Sequence, residues 1–143
     1  MLRSIKARDY MTRSLITLKP DTNIFKAFGV LTSNNISGAP VVDKNKHLIG
    51  ILSEGDCLTA VIKGSYYEEV GGLVSDYMSV EVDTIRPDDD IMDIAEKFHQ
   101  TKRRRFPVVE DGDLIGQISQ KDVLRAVLDF IQHPSHGKNA GHS

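Results

Sequence analysis

The most constraining feature of this 143-residue chain is an internal sequence repeat. The segment Asp9–Thr12 (DYMT) returns 67 positions later as Asp76–Ser79 (DYMS). At the same spacing, Pro40–Asp43 (PVVD) returns as Pro107–Glu110 (PVVE). Internal similarity at a fixed spacing is the signature of a structural unit that occurs more than once. The chain is therefore predicted to contain two similar units of roughly 60 residues each.

The spacing between matching segments changes once, inside a predicted loop. Leu48–Gly50 corresponds to Leu114–Gly116 at a spacing of 66, so the second copy has lost one residue. The missing residue lies in a loop, because Asp43–His47 corresponds to the shorter segment Glu110–Asp113. The shorter loop contains the Asp-Gly pair typical of tight hairpins. Because a deletion in a hairpin loop leaves the flanking strands intact, the repeat has a structural basis.

Each copy is predicted to begin with a short strand and a helix. The strands are expected at Leu15–Leu18 and Val82–Ile85, each parallel to the strand after its helix through a right-handed crossover. Asp21–Thr22 and Asp88–Asp89 are candidate N-caps for the helices. Apolar residues recur at the i, i+3, i+4, i+7 spacing of one buried face: Ile24, Ala27, Phe28 and Leu31, then Ile91, Ile94, Ala95 and Phe98.

A hairpin and a second helix complete each copy. The strands are predicted at Pro40–Val42 and Leu48–Leu52, and again at Pro107–Val109 and Leu114–Ile118. The apolar residues that the second helices are expected to bury are Cys57, Leu58, Val61 and Ile62 in one copy, and Val123, Leu124, Val127, Leu128 and Ile131 in the other. The predicted fold class is therefore α/β (α+β), with two pseudo-symmetric β-α-β-β-α units.

Glycine-rich and polar segments set the expected boundaries of these units. The first unit is assigned to residues 6–63 and the second to residues 74–131. Residues 64–73 are expected to be a linker, because Gly64 and Gly71–Gly72 interrupt regular structure. Residues 132–143 contain no apolar anchor and are expected to form a disordered tail.

Composition excludes several classes of protein. The formal net charge of −2 argues against a dedicated nucleic-acid or polybasic membrane binder. Cys57 is the only cysteine, so a disulfide scaffold is excluded and a Cys/His zinc cluster is not expected. No apolar stretch approaches the ~18 residues that span a bilayer, and the N-terminus has no signal-peptide pattern. A cytoplasmic location is expected.

The motif Gly-x-φ-Ser-x-x-Asp, in which φ is apolar, occurs at Gly50–Asp56 and again at Gly116–Asp122. One interpretation is structural, because Ser-x-x-Asp before an apolar helix resembles a capping box. The other is functional, because a helix N-terminus attracts phosphate and a carboxylate one turn into the helix can accept hydrogen bonds from both hydroxyls of a ribose. The two interpretations are compatible, since a serine that caps a helix can also contact a ligand.

Two further features are candidates for ligand contacts. Pro40 and Pro107 begin strands, where proline removes one donor from the ladder and leaves neighbouring backbone groups free to face a planar base. The basic run Lys102–Arg105 is either a solvated turn or a phosphate clamp. The second interpretation is possible because guanidinium groups bind phosphate oxygens in bidentate geometry. The equivalent segment Asn35–Gly38 carries no charge, so the fold does not require the basic run.

Together these segments resemble a tandem pair of cystathionine-β-synthase (CBS) domains, also called a Bateman module. The resemblance rests on the DYMT segment, the Pro-Val-Val strands and both Gly-x-φ-Ser-x-x-Asp turns, and it extends from Lys6 to Ile131. It implies two units packed through their sheets, with clefts between them that bind AMP, ADP, ATP or S-adenosylmethionine. It also implies a homodimer and a regulatory role rather than an enzyme, as in free-standing bacterial CBS-pair proteins. A regulated partner protein is implied, whereas a required cofactor, a metal, nucleic acid and a membrane are not.

The resemblance also implies candidate site residues. Asp56 and Asp122 are expected to hold the ribose. Phosphate contacts are expected from Ser53, Ser119, Lys121, Arg104 and Arg105. Base contacts are expected from Thr17, Thr84, Ile36, Pro40, Ile51, Phe106, Pro107 and Gln117. Gln117 replaces the apolar residue usual at its position, and Gly55 stands where the second copy has Lys121, so the two sites are expected to differ.

Other functions are alternatives to nucleotide binding. The chain could be a purely structural dimerisation module with non-functional clefts. Catalysis has little support, because Cys57 has no evident histidine partner and no P-loop or metalloprotease motif is present. Weak metal binding by His133, His136 and His142 in the tail is a lesser alternative. RNA binding by Lys102–Arg105 is another, although the run has no interleaved aromatic residues.

Overall fold

The structure, a computed structural model, describes residues 1–66 and 71–133. The chain forms two compact units, each of which takes in a segment from the neighbouring repeat. The Asp56 unit consists of Ile16–Val82, and the Asp122 unit combines Met1–Leu15 with Asp83–Ser143. These units differ from the expected division at residues 63 and 74. The segment that begins each repeat, which contains DYMT or DYMS and is here called its leading segment, pairs with the hairpin of the other repeat, Thr12 with Gln117 and Ser79 with Ile51.

The elements follow the predicted order of helix, hairpin and helix in both repeats. A short 3₁₀ helix at Leu2–Ser4 precedes the first α-helix. The elements in chain order are α1 (Ala7–Tyr10), α2 (Ile24–Ser33), β1 (Gly38–Val42), β2 (Leu48–Ser53), α3 (Glu54–Tyr66), α4 (Val74–Tyr77), α5 (Ile91–Gln100), β3 (Arg105–Glu110), β4 (Asp113–Ser119) and α6 (Gln120–Gln132). The mixed helix and strand content confirms the α+β class.

The strand predicted at the start of each unit is reduced to a single bridge. Leu18 pairs with Val41, and Ile85 pairs with Val108, both in the parallel direction that the crossover predicts. The predicted length is therefore wrong, and Pro20, which has no N–H to donate, prevents the ladder from continuing beyond Leu18. The other unit has a proline at the matching position.

Two antiparallel hairpins form separate two-stranded sheets, β1 with β2 and β3 with β4. The Asp-Gly turn predicted in the second hairpin is confirmed, because Asp111 and Gly112 both have positive φ, at 52° and 86°. In the longer first loop, one carboxylate oxygen of Asp43 accepts hydrogen bonds from the backbone N–H groups of Asn45 and His47. The missing residue therefore lies in a turn, as the sequence indicates.

The first helices begin slightly later than the candidate N-caps indicate. Asn23 caps α2, with its side-chain oxygen 2.8 Å from the backbone nitrogen of Phe25. Asp90 caps α5 in the same way, at 2.9 Å from the nitrogen of Asp93. The predicted caps at Asp21–Thr22 and Asp88–Asp89 are wrong because these residues belong to turns that precede the helices.

Each unit has its own apolar core, and the predicted buried faces of α2 and α5 are confirmed. In the Asp56 unit, the core side chains on α2 are Ile24, Ala27 and Leu31. In the Asp122 unit, those on α5 are Ile91, Ile94 and Phe98. Phe28 and Ala95 are partly buried and pack against these clusters.

The second helices α3 and α6 bury fewer large side chains than predicted. Their buried contacts with the cores come from Ala60 on α3 and from Val123 and Ala126 on α6, while Cys57, Val127 and Phe130 are partly buried and pack against the cores. A second apolar stripe on each helix is 43–69% exposed, and it consists of Leu58, Val61 and Ile62 on α3 and of Leu124, Leu128 and Ile131 on α6. The predicted burial of these six residues is wrong within a single chain.

The helices also extend past two predicted boundaries. Helix α3 continues through Gly64 to Tyr66, since one glycine costs a helix only about 1 kcal/mol. Helix α6 ends at Gln132, and the rest of the predicted tail beyond His133, with two of its histidines, lies outside the described residues. In the described part of the chain, no helix is both long and apolar enough to cross a membrane.

Candidate functional site

The Asp56 turn, Gly50–Asp56, joins β2 to the N-terminus of α3. The backbone N–H of Asp56 donates to the Ser53 hydroxyl oxygen at 3.1 Å. In return, Oδ2 of Asp56 accepts hydrogen bonds from the Ser53 N–H at 2.8 Å and from the Ser53 hydroxyl at 2.9 Å. These reciprocal bonds satisfy amides that the first helical turn leaves unpaired, so the serine and the aspartate hold each other in position.

The Asp122 turn, Gly116–Asp122, joins β4 to α6 in the same way. The Ser119 N–H donates to Oδ2 of Asp122 at 2.8 Å, and the Asp122 N–H donates to the Ser119 hydroxyl oxygen at 3.2 Å. The capping box expected from the Ser-x-x-Asp spacing is therefore present at both turns. Each turn places a serine and a carboxylate at the positive end of a 13-residue helix.

The glycine that begins each turn lets a second segment cross close to the strand. A Cβ atom built on Gly50 lies 2.8 Å from both Sδ of Met78 and the carbonyl oxygen of Ser79. The crossing is fixed by two backbone hydrogen bonds of 2.9 Å between Ile51 and Ser79. A side chain at position 50 would force these groups apart, which explains why glycine stands there.

The Asp122 unit repeats this arrangement with the first DYMT segment. A Cβ atom on Gly116 lies 2.6 Å from Sδ of Met11 and 3.0 Å from the carbonyl oxygen of Thr12. Thr12 and Gln117 exchange backbone hydrogen bonds of 2.8 and 2.9 Å. The two repeated motifs therefore have a joint structural role, since the methionine segment of each repeat packs on the glycine of the other.

The two aspartates have different surroundings. Oδ1 of Asp122 accepts a hydrogen bond from Nη2 of Arg125 at 2.9 Å, and only 10% of the aspartate side chain is exposed. Asp56 is half-buried, and the position that matches Arg125 is Thr59, whose hydroxyl bonds the carbonyl oxygen of Gly55. Sequence reasoning missed Arg125, although its i, i+3 spacing from Asp122 on a predicted helix is the signal for such a pair.

Tyr10 is a second residue near this turn that sequence reasoning missed. Its hydroxyl donates to Oδ2 of Asp129 at 2.8 Å, and its ring lies 5.8 Å from the Arg125 guanidinium carbon. Burial and the hydrogen bond to Asp129 raise the pKa of Tyr10 to about 12. The hydroxyl is therefore a neutral hydrogen-bond donor at physiological pH.

The exposed cationic candidates lie beside the Asp122 turn. The carbonyl oxygen of Arg104 accepts the Gln120 N–H at 3.2 Å, and Arg105 pairs with Ser119 in the β3–β4 ladder. Lys121 is the second residue of α6. Arg104, Arg105 and Lys121 are thus within one short stretch around the start of α6, whereas the equivalent stretch of the Asp56 unit has Ser37, Gly38 and Gly55.

Three of the candidate base contacts are interior residues. Phe106 is fully buried, with its ring centroid 4.3 Å from that of Phe98, so its ring packs in the core of the Asp122 unit. Pro40 and Pro107 are also buried. The carbonyl oxygens of Pro40 and Pro107 accept the backbone N–H groups of Leu18 and Ile85, so these two carbonyls are already paired.

The other base candidates are accessible to different extents. Ile51 and Gln117 are half-buried, and their backbone groups are already paired with the crossing segments, which leaves only their side chains for a ligand. Thr17 is exposed, while Thr84 is half-buried and its carbonyl oxygen accepts from Nζ of Lys97 at 2.6 Å. The remaining candidate, Ile36, packs partly against the core of the Asp56 unit.

One cavity of about 400 Å³ in the Asp122 unit contains none of the predicted site residues. It is lined by Arg86, Pro87, Asp88, Asp89, Val109, Glu110 and Asp111. Across residues 1–66 and 71–133, no group of three or more histidine, cysteine or acidic side chains is arranged to hold a metal ion. The candidate chemistry is therefore concentrated at the two Gly-x-φ-Ser-x-x-Asp turns.

Solved structures with the same fold include a CBS-pair protein bound to AMP. The chain is similar to CBSX2 from Arabidopsis thaliana in complex with AMP, with 31% identity, a TM-score of 0.77, and coverage of 89% of this chain and 98% of that chain. It is also similar to the CBS-domain containing protein ATU1752 from Agrobacterium tumefaciens, with 28% identity, a TM-score of 0.68, and coverage of 85% and 92%.

Sequence comparisons give the same relationship. The chain is 30% identical to CBSX1 of Arabidopsis thaliana, a chloroplastic CBS domain-containing protein, and 34% identical to inosine-5′-monophosphate dehydrogenase of Aquifex aeolicus. These matches cover 85% and 84% of this chain but only 64% and 24% of the relatives' own lengths. The profile of the CBS domain matches residues 7–63 and 74–129. The chain therefore belongs to the CBS-domain family and carries two CBS domains in tandem.

Proposed function

We propose that this chain is a regulatory module that binds adenosine-containing nucleotides at its two Gly-x-φ-Ser-x-x-Asp turns. The observation that carries the proposal is the geometry of each turn, in which a helix N-terminus, a serine hydroxyl and a carboxylate lie within one helical turn. The complex of CBSX2 with AMP supports the choice of ligand, because that protein shares this fold and 31% of its sequence.

Each part of the turn suits one part of a nucleotide. The carboxylates of Asp56 and Asp122 accept hydrogen bonds, which suits the two hydroxyls of a ribose. The N-termini of α3 and α6 carry partial positive charge, and Ser53 and Ser119 add hydroxyls there, which suits a phosphate. Ligands with both groups include AMP, ADP and ATP, whereas S-adenosylmethionine has the ribose and carries a sulfonium group instead of phosphate.

The cations Arg104, Arg105 and Lys121 favour an anionic ligand at the Asp122 turn. Guanidinium groups bind phosphate oxygens in bidentate geometry, and all three side chains are exposed. The proposed module therefore binds polyphosphates more tightly than adenosine, and added salt weakens this preference because exposed charges are screened over about 8 Å at physiological ionic strength. The base would be contacted by side chains, among them those of Ile51 and Gln117.

Regulation requires a partner, and the exposed stripes on α3 and α6 supply a surface for one. Leu58 is 62% exposed and Leu124 is 69% exposed, which is unusual for leucines that share a stripe with other apolar residues. A second copy of the chain is the proposed partner, because two-fold homodimers are the commonest oligomers. The same stripes also support the alternative function, a structural dimerisation module that binds no nucleotide.

Thermal unfolding with added ligand separates these two functions. A ligand present at 100 times its dissociation constant stabilises the folded chain by about 2.7 kcal/mol, which is a shift of several degrees in a domain of this size. We expect AMP or ATP to raise the unfolding temperature, and inorganic phosphate at equal concentration to raise it less. An unchanged unfolding temperature with AMP, ADP, ATP and S-adenosylmethionine would refute nucleotide binding and leave the structural alternative.

A further inference from the structure

The contacts of the two ribose-binding aspartates show that the two turns are not equivalent acceptors. At the Asp122 turn, both carboxylate oxygens are occupied, Oδ2 by the Ser119 N–H and Oδ1 by Arg125. At the Asp56 turn, Oδ2 carries both bonds from Ser53, and no donor from residues 1–66 or 71–133 bonds to Oδ1. Only the Asp56 turn presents an open carboxylate oxygen.

Arg125 is held in place by more than its ion pair. Its Nη2 also lies 3.4 Å from the carbonyl oxygen of Tyr10, and its guanidinium carbon lies 5.8 Å from the centre of the Tyr10 ring. A cation over an aromatic ring is attracted by the negative face of the ring. The carboxylate is 10% exposed and the guanidinium side chain is 52% exposed, so solvent screens this ion pair less than one between two fully exposed groups.

The corresponding surface of the Asp56 unit carries different charges at both matching positions. Thr59 replaces Arg125, and Lys63 replaces Asp129. Nζ of Lys63 lies 5.8 Å from the centre of the Tyr77 ring, and the Tyr77 hydroxyl donates to the carbonyl oxygen of Gly71 rather than to a carboxylate. No guanidinium group therefore competes for Asp56 within this stretch of α3.

We propose that Arg125 weakens ribose binding at the Asp122 turn by competing for Asp122, so that adenosine fills the Asp56 turn first. This inference rests on the proposed nucleotide-binding function. A ribose hydroxyl that bonds to Asp122 must share or displace the Arg125 donor, whereas a hydroxyl that bonds to Asp56 meets an open oxygen. The two turns then bind at different nucleotide concentrations, and Arg125 contributes to the ratio of their dissociation constants.

The size of the difference follows from the bond that is lost. A hydrogen bond to a charged group contributes on the order of 1.5 kcal/mol to stability, and a tenfold change in affinity corresponds to about 1.4 kcal/mol. We therefore expect the affinities of the two turns for adenosine to differ by about tenfold through Arg125. The cations beside the Asp122 turn act on phosphate, so adenosine reports the ribose effect without them.

Calorimetric titration of the full chain with adenosine and with AMP tests the proposal. With adenosine, Asp56→Ala should abolish the stronger binding event, which assigns that event to the Asp56 turn. Arg125→Thr, which copies Thr59, should tighten binding at the Asp122 turn by about tenfold for both ligands, and Asp122→Ala in the same chain should remove this gain. The reciprocal change Thr59→Arg should weaken the stronger event. Arg86→Thr, which removes an exposed arginine elsewhere in the Asp122 unit, is the matched control and should change neither event.

The opposite results are equally definite. Unchanged affinities in Arg125→Thr would overturn the proposal, and so would a loss of AMP binding with adenosine binding intact, because that pattern makes Arg125 a phosphate ligand. If Arg125→Thr unfolds, Arg125→Gln and Thr59→Arg carry the test, since Thr59 is exposed and its replacement removes no core contact. If neither adenosine nor AMP binds to the wild type or to any variant, nucleotide binding itself is refuted, an outcome distinct from equal affinities at the two turns.

Discussion

Replacing Gly50 by alanine tests the close crossing between β2 and the Met78–Ser79 segment. The added Cβ would lie 2.8 Å from Sδ of Met78, which can move, and 2.8 Å from the carbonyl oxygen of Ser79, which is held by the backbone. Gly50 is not among the residues with positive φ, so the substitution introduces steric overlap without backbone strain. The clash can be relieved only if the crossing segment moves away from the strand.

The cost follows from what this movement disrupts. Overpacking of a close-packed interior by one methyl group costs about 1–3 kcal/mol. Separating Ile51 from Ser79 also weakens two backbone hydrogen bonds of 2.9 Å, each worth about 1 kcal/mol. We therefore expect Gly50→Ala to lower the free energy of unfolding by about 2–4 kcal/mol, a large part of the 5–15 kcal/mol typical of a folded domain.

Urea unfolding followed by circular dichroism measures this change. The matched control is Gly29→Ala in α2 of the same unit, where a Cβ meets no atom within 4 Å. Alanine is the better helix former by up to about 1 kcal/mol, so Gly29→Ala should stabilise the chain. Gly50→Ala should cost less in a Met78→Ala background than in the wild type, because the background removes the sulfur contact but not the carbonyl contact. A Gly50→Ala chain as stable as the wild type would refute the proposed crossing.

Three further predictions concern ligand charge, assembly and pH. Arg104→Ala combined with Arg105→Ala should weaken ATP binding by about tenfold and adenosine binding much less, as measured by calorimetry; equal losses would mean that the arginines act through folding. Leu58→Asp or Leu128→Asp should halve the mass seen by light scattering toward 15.9 kDa, whereas a wild type that is already monomeric would contradict the homodimer. Because the pKa of Tyr10 is raised to about 12 from the usual tyrosine value of about 10, its contribution to stability is complete below pH 10 and is lost as pH rises toward 12. Tyr10→Phe should flatten the fall in stability over this range, and an unchanged slope would contradict the assignment.

Much of the fold could be predicted because its signals are local. The Asp-Gly turn and the apolar spacing of α2 and α5 each depend on a few neighbouring residues, and the structure confirms them. The exchange of leading segments could not be predicted in this way. Met11–Thr12 and Met78–Ser79 have almost the same sequence, and so do the hairpins around Gly50 and Gly116. Local sequence therefore does not determine which segment crosses which hairpin.

Local sequence also predicts only part of the candidate site. The capping boxes at Ser53 and Ser119 follow from spacing alone, but the difference between the two aspartates depends on where the Arg125 side chain points. The buried position of Phe106 was open to prediction from strand alternation, because it shares a face with Val108, two residues later. The exposed stripes on α3 and α6 were not, since apolar spacing does not distinguish the face that packs on a sheet from one that is left uncovered.

One unit is continuous and the other is made of two segments that flank it in the sequence, which imposes an order on the folding of the units during synthesis. The Asp56 unit is one uninterrupted segment, Ile16–Val82, and it is complete once its last residue has left the ribosome. The Asp122 unit needs its first 15 residues and its last strand together, since Thr12 bonds to Gln117. Met1–Leu15 must therefore wait for the translation of Gln117 before this unit can be completed. Cutting the gene between its two repeats would give two fragments that each lack a segment they need, whereas the continuous segment Ile16–Val82 contains the whole Asp56 unit.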